Sequence, residues 1–416
     1  MTEAVIVSMA RSPIGRAFKG SLKDERPDDL AAAMVTAALA KIPGFDAGAG
    51  LGMDQWSGLD DLYLGCAEPS GEAGSNMARV VSILCGLDYV PAVTVNRFCA
   101  SSLQTLRMAF HAIRAGEGHA FVSAGVESVS RYQNWAGAGE SDSSVHNPRF
   151  AAAKQRTAAR AASNTPWTDP RLGGRLPDIY ISMGQTAENV ATSFGISRAE
   201  QDEWAVLSQN RAEAAIASGF FAREITPYTR ADGTVVERDD SPRPGVTLEG
   251  VSALDPVFRR EGTVTAGNAC PLNDGAAAVV VMSSTRAAEL GLEPLARVVS
   301  TAASALSPEI MGMGPVESSR RALELAGLTM ADIDLVELNE AFAVQVVASA
   351  RELGIDPEKL NVHGGAIALG HPFGMTGARM TNTLLNGLRE RDGTFGLATL
   401  CVGGGQGMAV VFERLS

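Results

Sequence analysis

Three side chains in this sequence have the types and settings that nucleophilic and acid–base chemistry would use: Cys99, His371 and Cys401. Cys99 lies in VNRFCASSLQT, after a β-type run and before a helical one, which predicts a sulfur at a helix N-terminus. There the dipole and free N–H groups favour a thiolate and should lower the thiol pKa. A lone cysteine is more often a buried small hydrophobe, so the neighbours matter. Cys401 lies in LATLCVGGGQGMA, where the glycines after it let backbone approach a ligand and turn N–H groups toward developing negative charge. His371, in GGAIALGHPFGMTGAR, is held between Gly370 and Pro372 on a glycine-rich loop that can fix an imidazole near a thiol. Asn339 and Glu340 in VELNEAFAVQ fall where a strand gives way to a helix, so Asn339 either caps that helix or holds a water against an oxyanion.

Each of these side chains stands at a junction between regular elements, and the elements read as an alternating α/β pattern. AVIVSMA, AVTVNRF, HAFVSAGVES, AAAVVVMSS, DLVELNE, FGLATLCV and MAVVFERL have the β-branched content of strands. DDLAAAMVTAALAKI, SSLQTLRMAFHAIRAG and TGARMTNTLLNGLRER carry apolar residues at helical spacing. DGAAAVVVMSS, residues 274–284, is echoed by GQGMAVVFERL, residues 405–415, and a small-residue loop runs into a helix both at FCASSLQTLRMAF and at GHPFGMTGARMTNTLL. The echoes predict a duplicated α/β unit. From 129 to 257 the composition turns polar and rich in glycine and proline, with loop-like WAGAGESDSSVHNPRF and RADGTVVERDDSPRPG, and reads as an insertion. Within it, SRAEQDEWAVLSQNRAEAAIASG predicts a helix opened by a capping box of Ser197 and Glu200.

At 416 residues, with 45 % apolar and 20 % charged residues, the chain is expected to be globular with more than one lobe. A net charge of −12 without a long basic run excludes a nucleic-acid footprint. A local basic stretch, Arg149, Lys154, Arg156, Arg160, Arg171 and Arg175 against Asp169, is either a phosphate contact or a solvated loop. Cys66, Cys85, Cys99, Cys270 and Cys401 are too scattered for a secreted disulfide framework, and neither end carries a targeting signal, so a cytoplasmic protein is expected. The charge-free segment 393–412 is long enough for a membrane span, but its glycines suit a turn between strands, so no transmembrane segment is expected. No two cysteine or histidine residues have finger-like spacing, and no metal site is expected.

Together the four junctions resemble the signature blocks of the thiolase family, in the family's order, with RSPIGRAFKGSL, SNMARVVSI, SAGVESVSR, MGQTAENVA, GTVTAGNACPLNDGAAAVV and MGMGPV extending the likeness over nearly the whole chain. The resemblance implies duplicated α/β domains in a layered α-β-α-β-α architecture with an inserted loop domain. Residues 1–128 with 258–292 would form the N-terminal domain, 129–257 the insertion covering the coenzyme A site, and 293–416 the C-terminal domain. It implies an acyltransferase in which Cys99 is the acylated nucleophile, His371 takes its proton and Cys401 is the acid/base. His371 with a water on Asn339 would form one oxyanion site, and the backbone N–H groups of Cys99 and Gly403 the other. Coenzyme A is implied as co-substrate with no permanently bound cofactor, contacted by Arg243, Ser252 and Cys270, while Met183, Met311 and Phe342 line the acyl end. A homodimer or homotetramer is implied.

The sequence departs from the family's pattern at Cys270–Pro271, where serine and glycine are frequent, at Thr376, where serine is usual, and at Ser182, where short-chain biosynthetic members have histidine. The last departure, with the arginine-rich stretch before it, favours a degradative 3-ketoacyl-CoA thiolase of fatty-acid β-oxidation over a biosynthetic acetoacetyl-CoA enzyme. Two other readings are a non-catalytic CoA- or lipid-binding carrier, which would not need all four reactive positions, and a cysteine hydrolase, which would not need Cys401.

Overall fold

The central strands form where the sequence carries runs buried on both faces. The computed structural model describes residues 2–45, 58–132, 146–163 and 165–416. The N-terminal half runs β1 (Ala4–Arg11), β2 (Gly15–Arg16), α1 (Pro27–Leu39), β3 (Asp61–Gly65), α2 (Met77–Leu84), β4 (Ala92–Val95), α3 (Ser101–Ala115) and β5 (Ala120–Ser128). Helix α1 opens on Pro27 with Asp28 and Asp29 in its first turn, where fixed φ and negative charge both suit a helix start. Helix α3 ends at Gly116, whose φ of 77° is the left-handed conformation of a C-terminal cap.

The chain then leaves the sheet and returns to it at β8 (Asn273–Ser283), which pairs antiparallel with β5 along Ala120–Ser128. The excursion contains α4 (Ala151–Ser163), α5 (Met183–Phe194), α6 (Arg198–Ala217), α7 (Phe220–Glu224), the hairpin of β6 (Tyr228–Thr229) with β7 (Val235–Val236), and α8 (Leu248–Ser252). The Ser197–Glu200 capping box is present at the start of α6. The basic stretch is no loop over 151–163, which is helical, and Arg160 is paired with buried Glu309. The loop expected over WAGAGESDSSV lies outside the described residues. After β8 come α9 (Ser284–Glu289), β9 (Ala296–Ala305), α10 (Gly314–Ala326), β10 (Leu335–Leu338), α11 (Ala343–Leu353), α12 (Ala366–Leu369), α13 (Thr376–Glu390), β11 (Phe395–Val402) and β12 (Gln406–Arg414). The glycine-rich segment after Cys401 is the turn between β11 and β12. Among the described residues no helix is long and apolar enough to cross a membrane.

The strands lie in the order β10-β11-β12-β9-β1-β8-β5-β3-β4. On either side of the β9–β1 seam the topology repeats: β1-β8-β5-β3 and β9-β12-β11-β10 each contain two antiparallel pairings followed by a parallel one. The echoed segments are β8 and β12, which hold matching places. Helices α3 and α13 pack between the two half-sheets in one apolar core, which draws on Phe121 and Val279 from one half and Leu400 and Val410 from the other. A second core lies under α1 and α2, and a third under α10 and α11. This is the layered α-β-α-β-α arrangement.

The two middle helices meet at their N-termini. Ala378 N donates to Ser102 Oγ at 2.9 Å, and a Cβ on Gly377 would overlap the Leu103 backbone. Gly377→Ala is therefore expected to lower stability by about 1–3 kcal/mol through overpacking, read as a fall in the urea midpoint; an unchanged midpoint would show that the helices can separate freely.

Candidate active site

Cys99 is set by a short pinned turn between β4 and α3. Asn96 Oδ1 accepts from Phe98 N at 2.8 Å, Ser101 Oγ accepts from Arg97 N at 2.9 Å and donates to Phe98 O at 2.6 Å. Phe98 has φ 44°, a left-handed conformation that costs a non-glycine residue roughly 1–2 kcal/mol. The turn thus ends the strand early and presents the Cys99 sulfur to the Gly403–Gly404 turn, against which the Phe98 ring packs. The Gly403 and Cys99 backbone N–H groups both act on that sulfur.

His371 is fixed on both ring nitrogens. Thr376 Oγ1 donates to Pro372 O at 2.8 Å and so offers a lone pair to His371 Nδ1 at 2.7 Å. That places the proton on Nδ1 and leaves Nε2 as an acceptor, facing Asn339 Nδ2 at 3.2 Å. The loop carrying His371 is anchored from outside. His371 N donates to Asn273 Oδ1 at 3.0 Å, and Gly374 N donates at 2.8 Å to buried Glu127, which also accepts from Ala67 N, Glu68 N and Tyr132 OH. Gly370 has φ 112° and lies so close to the Asn273 amide that a side chain there would meet it at 2.6 Å.

Asn339 follows β10 and extends its pairing, N–H to Thr399 O at 3.0 Å. It does not cap the helix: α11 begins at Ala343 behind Phe342, with no side-chain cap. Its amide turns to His371 instead, and its buried Oδ1 has no protein partner. Glu340 points away and accepts from Trp204, Ser208, Asn361 and Ile367 N, fastening the Asn339 segment to α6 and α12.

Cys401 is buried at the end of β11, and its thiol donates to Gln345 Oε1 at 3.2 Å. It shares an apolar cluster with Met311 and Phe342, with Met183 packed against it. The sulfurs of Cys99, Cys401 and Cys270 are near enough that charge on one disfavours charge on the next. Cys270, Arg16, Ser241, Arg243 and Pro271 line a cavity of about 230 Å³. Ser252 is not on that wall; it is exposed on α8.

The electrostatics correct one expectation. Burial pushes the Cys99 thiol up to about 12, outweighing the Gly403 N–H that favours the thiolate. Burial, assisted by the Arg379 guanidinium, pulls His371 down to about 3. Burial thus favours a neutral Cys99 thiol and a neutral His371 imidazole. Composition and spacing did not reveal Gln345 or Glu127, and Thr376 was noted only as a departure from a pattern. Among the described residues no group of three histidine, cysteine or acidic side chains is placed to hold a metal ion.

Comparison with known proteins places the whole chain. Residues 4–285 match the thiolase N-terminal domain and 292–414 the thiolase C-terminal domain. The chain is 43% identical to a 3-ketoacyl-CoA thiolase of Bacillus subtilis, over 99% of this chain and 100% of that protein. It is 44% identical to a beta-ketoadipyl-CoA thiolase of Pseudomonas aeruginosa, over 99% of each. The crystal structure of the Bacillus anthracis acetyl-CoA acetyltransferase superimposes with a TM-score of 0.84 at 36% identity, covering 100% of this chain and 99% of that one.

A thiol held neutral by burial has a definite pH signature. Alkylation of Cys99 by iodoacetamide, measured against Cys99→Ser, is expected to climb about tenfold per pH unit from pH 7 to 9.5 without levelling. A plateau at neutral pH would mean instead that Cys99 and His371 rest as an ion pair.

Proposed function

The chain belongs to the thiolase family of acyltransferases, and from that premise we propose that it cleaves 3-ketoacyl-CoA thioesters with apolar chains, using coenzyme A as co-substrate. The observation that carries this reading is the apolar cluster around Cys401, which holds Met311 and Phe342 and has Met183, Leu306 and Ile310 packed against it. A tail ending in a carboxylate would lose hydration against such side chains. Fatty-acid degradation is the setting that such a substrate fits.

In the proposed reaction Cys99 attacks the 3-keto carbon while its proton passes to His371 Nε2. With the thiol and imidazole both neutral at rest, proton removal is coupled to carbon–sulfur bond formation. Charge then appears on the former keto oxygen, where the N–H groups of Cys99 and Gly403 receive it; such donors contribute on the order of 3 kcal/mol each. The bond between C2 and C3 breaks, and the acetyl-CoA enolate is met by His371 and a water on Asn339, the amide whose oxygen lacks a protein partner. Cys401 gives its proton to C2. Coenzyme A next attacks the acyl group on Cys99, its thiol proton restoring Cys401 while His371 returns the first proton to Cys99, so acetyl-CoA and a shortened acyl-CoA leave an unchanged enzyme. In this reading Arg243 and Cys270 border the coenzyme A path, and the insertion over 129–257 is its cover. Ser252, exposed on α8, has less support as a contact. Five free thiols support a reducing, cytoplasmic setting.

Thiolysis rates across 3-ketoacyl-CoA esters test the substrate class. Rates should rise from acetoacetyl-CoA to a six- or eight-carbon chain and be at least about tenfold lower for 3-ketoadipyl-CoA, the cost of burying an unpaired charge being well above 1.4 kcal/mol; preference for the dicarboxylate would reverse the assignment. Cys401→Ala should stop carbon–carbon cleavage yet still allow acetylation of Cys99.

A homo-oligomer is also proposed. Among the described residues strand β4 stands last in the sheet, its Ala92 O and Thr94 N bonded to the Asn76 side chain, and beside it α2 and the following turn expose Val80, Ile83, Leu84 and Tyr89, with Val93 on the strand itself. A second copy covering this edge would bury the apolar face. Sedimentation of Ile83→Glu should give monomer where the unaltered chain gives dimer or tetramer; equal sizes would place the contact elsewhere.

A further inference from the structure

We propose that Gln345 is a positioning residue for Cys401, its amide holding the sulfur as a thiol at rest and, after half a turn about the terminal side-chain bond, as a thiolate once the proton has been given up. The inference rests on the acid/base reading of Cys401 and deepens it.

Gln345 lies in the first turn of α11 and is fully buried. Its Oε1 accepts from the Cys401 thiol at 3.2 Å, and its Nε2 faces Met311 Sδ at 3.9 Å. Among the described residues no other side chain hydrogen-bonds the Cys401 sulfur. The stem of Gln345 is clamped: a Cβ on Gly312 would overlap it, and Gly312 is itself tied down by Ser349 Oγ, which donates to its carbonyl at 3.1 Å. A buried amide is costly unless its polar atoms are used. Here one is used on the sulfur and the other on a thioether, a weak acceptor that is cheaply released.

The two sulfurs therefore rest in different settings. Each has its own backbone N–H, but Cys99 gains a second donor in Gly403 N–H, which favours its anion, whereas Cys401 faces the Gln345 carbonyl, which favours its protonated form. That difference suits Cys99 to become the nucleophile and Cys401 to begin as the acid. After Cys401 has protonated C2 it is an anion among apolar side chains, and a carbonyl oxygen would then repel it. Exchanging Oε1 for Nε2 supplies a donor to the thiolate at the cost of one thioether contact. An amide carries both functions at the same reach, which neither a carboxylate nor an apolar side chain does.

The test compares Gln345→Met, which keeps length and volume, with Gln345→Glu, which keeps an acceptor but loses the donor. Two half-reactions are measured: exchange of the acetyl-CoA methyl hydrogens with deuterated solvent, which needs Cys401, and acetyl transfer from acetyl-CoA to Cys99, which does not. Gln345→Met should slow hydrogen exchange and thiolysis about tenfold to a hundredfold, the worth of a hydrogen bond to a charged group, and leave acetylation of Cys99 within about twofold of the unaltered rate. Gln345→Glu should lose the same step increasingly as pH rises and its side chain ionises beside the thiolate. Equal losses in both half-reactions, or no loss in hydrogen exchange, would overturn the proposal. Cys401→Ala separates the two ideas: if it retains hydrogen exchange, the acid/base reading itself fails, whereas if it abolishes exchange and Gln345→Met does not, only the role of Gln345 falls.

Discussion

Everything at this site depends on two helices meeting end to end at close range in the middle layer. Helices α3 and α13 approach until glycine is the residue that fits at 377, and a serine hydroxyl on one accepts from the backbone of the other. The Cys99 turn sits just before the first helix and the His371 loop just before the second. Fixing the helix ends therefore fixes the distance between two reactive groups that are hundreds of residues apart in the chain. Packing of this kind transmits strain rather than absorbing it, and the chemistry inherits the precision of the core.

Burial has a second effect that works against the helix dipole. A helix N-terminus stabilises a thiolate by a modest amount, while removal from water destabilises it by more, and at Cys99 the second effect wins. Burial thereby favours the uncharged form of both the Cys99 thiol and the His371 imidazole. An exposed thiolate–imidazolium pair would react with any electrophile that diffused past; a neutral pair waits for a carbonyl seated against the correct N–H groups.

The sequence made the framework legible because its signals are local. Strands β8 and β12 declare themselves as apolar runs, the α6 capping box is written in four consecutive residues, and Cys99, His371 and Cys401 are each marked by the glycines and turns beside them. What was not legible depends on partners distant in the chain. Gln345 reads as an unremarkable polar residue until β11 brings Cys401 to it across fifty-six positions. Glu127 closes a strand, and nothing nearby says that it will hold the Gly374 backbone. Asn339 was ambiguous between cap and catalytic amide because the segment after it is extended through Phe342, which no propensity rule specifies. Thr376 looked like a minor replacement, yet its hydroxyl selects the histidine tautomer, a job that serine could do equally and that only the partner's geometry reveals.

The repeated topology on the two sides of the β9–β1 seam carries one more implication. Because α3 and α13 occupy equivalent places in the two copies, each copy brings its own helix end and loop to the centre. One arrangement is thus delivered twice to a single spot, and the two halves present different side chains there. One copy supplies a thiol and the other an imidazole, so a single centre receives two unlike groups on separately fixed helix ends.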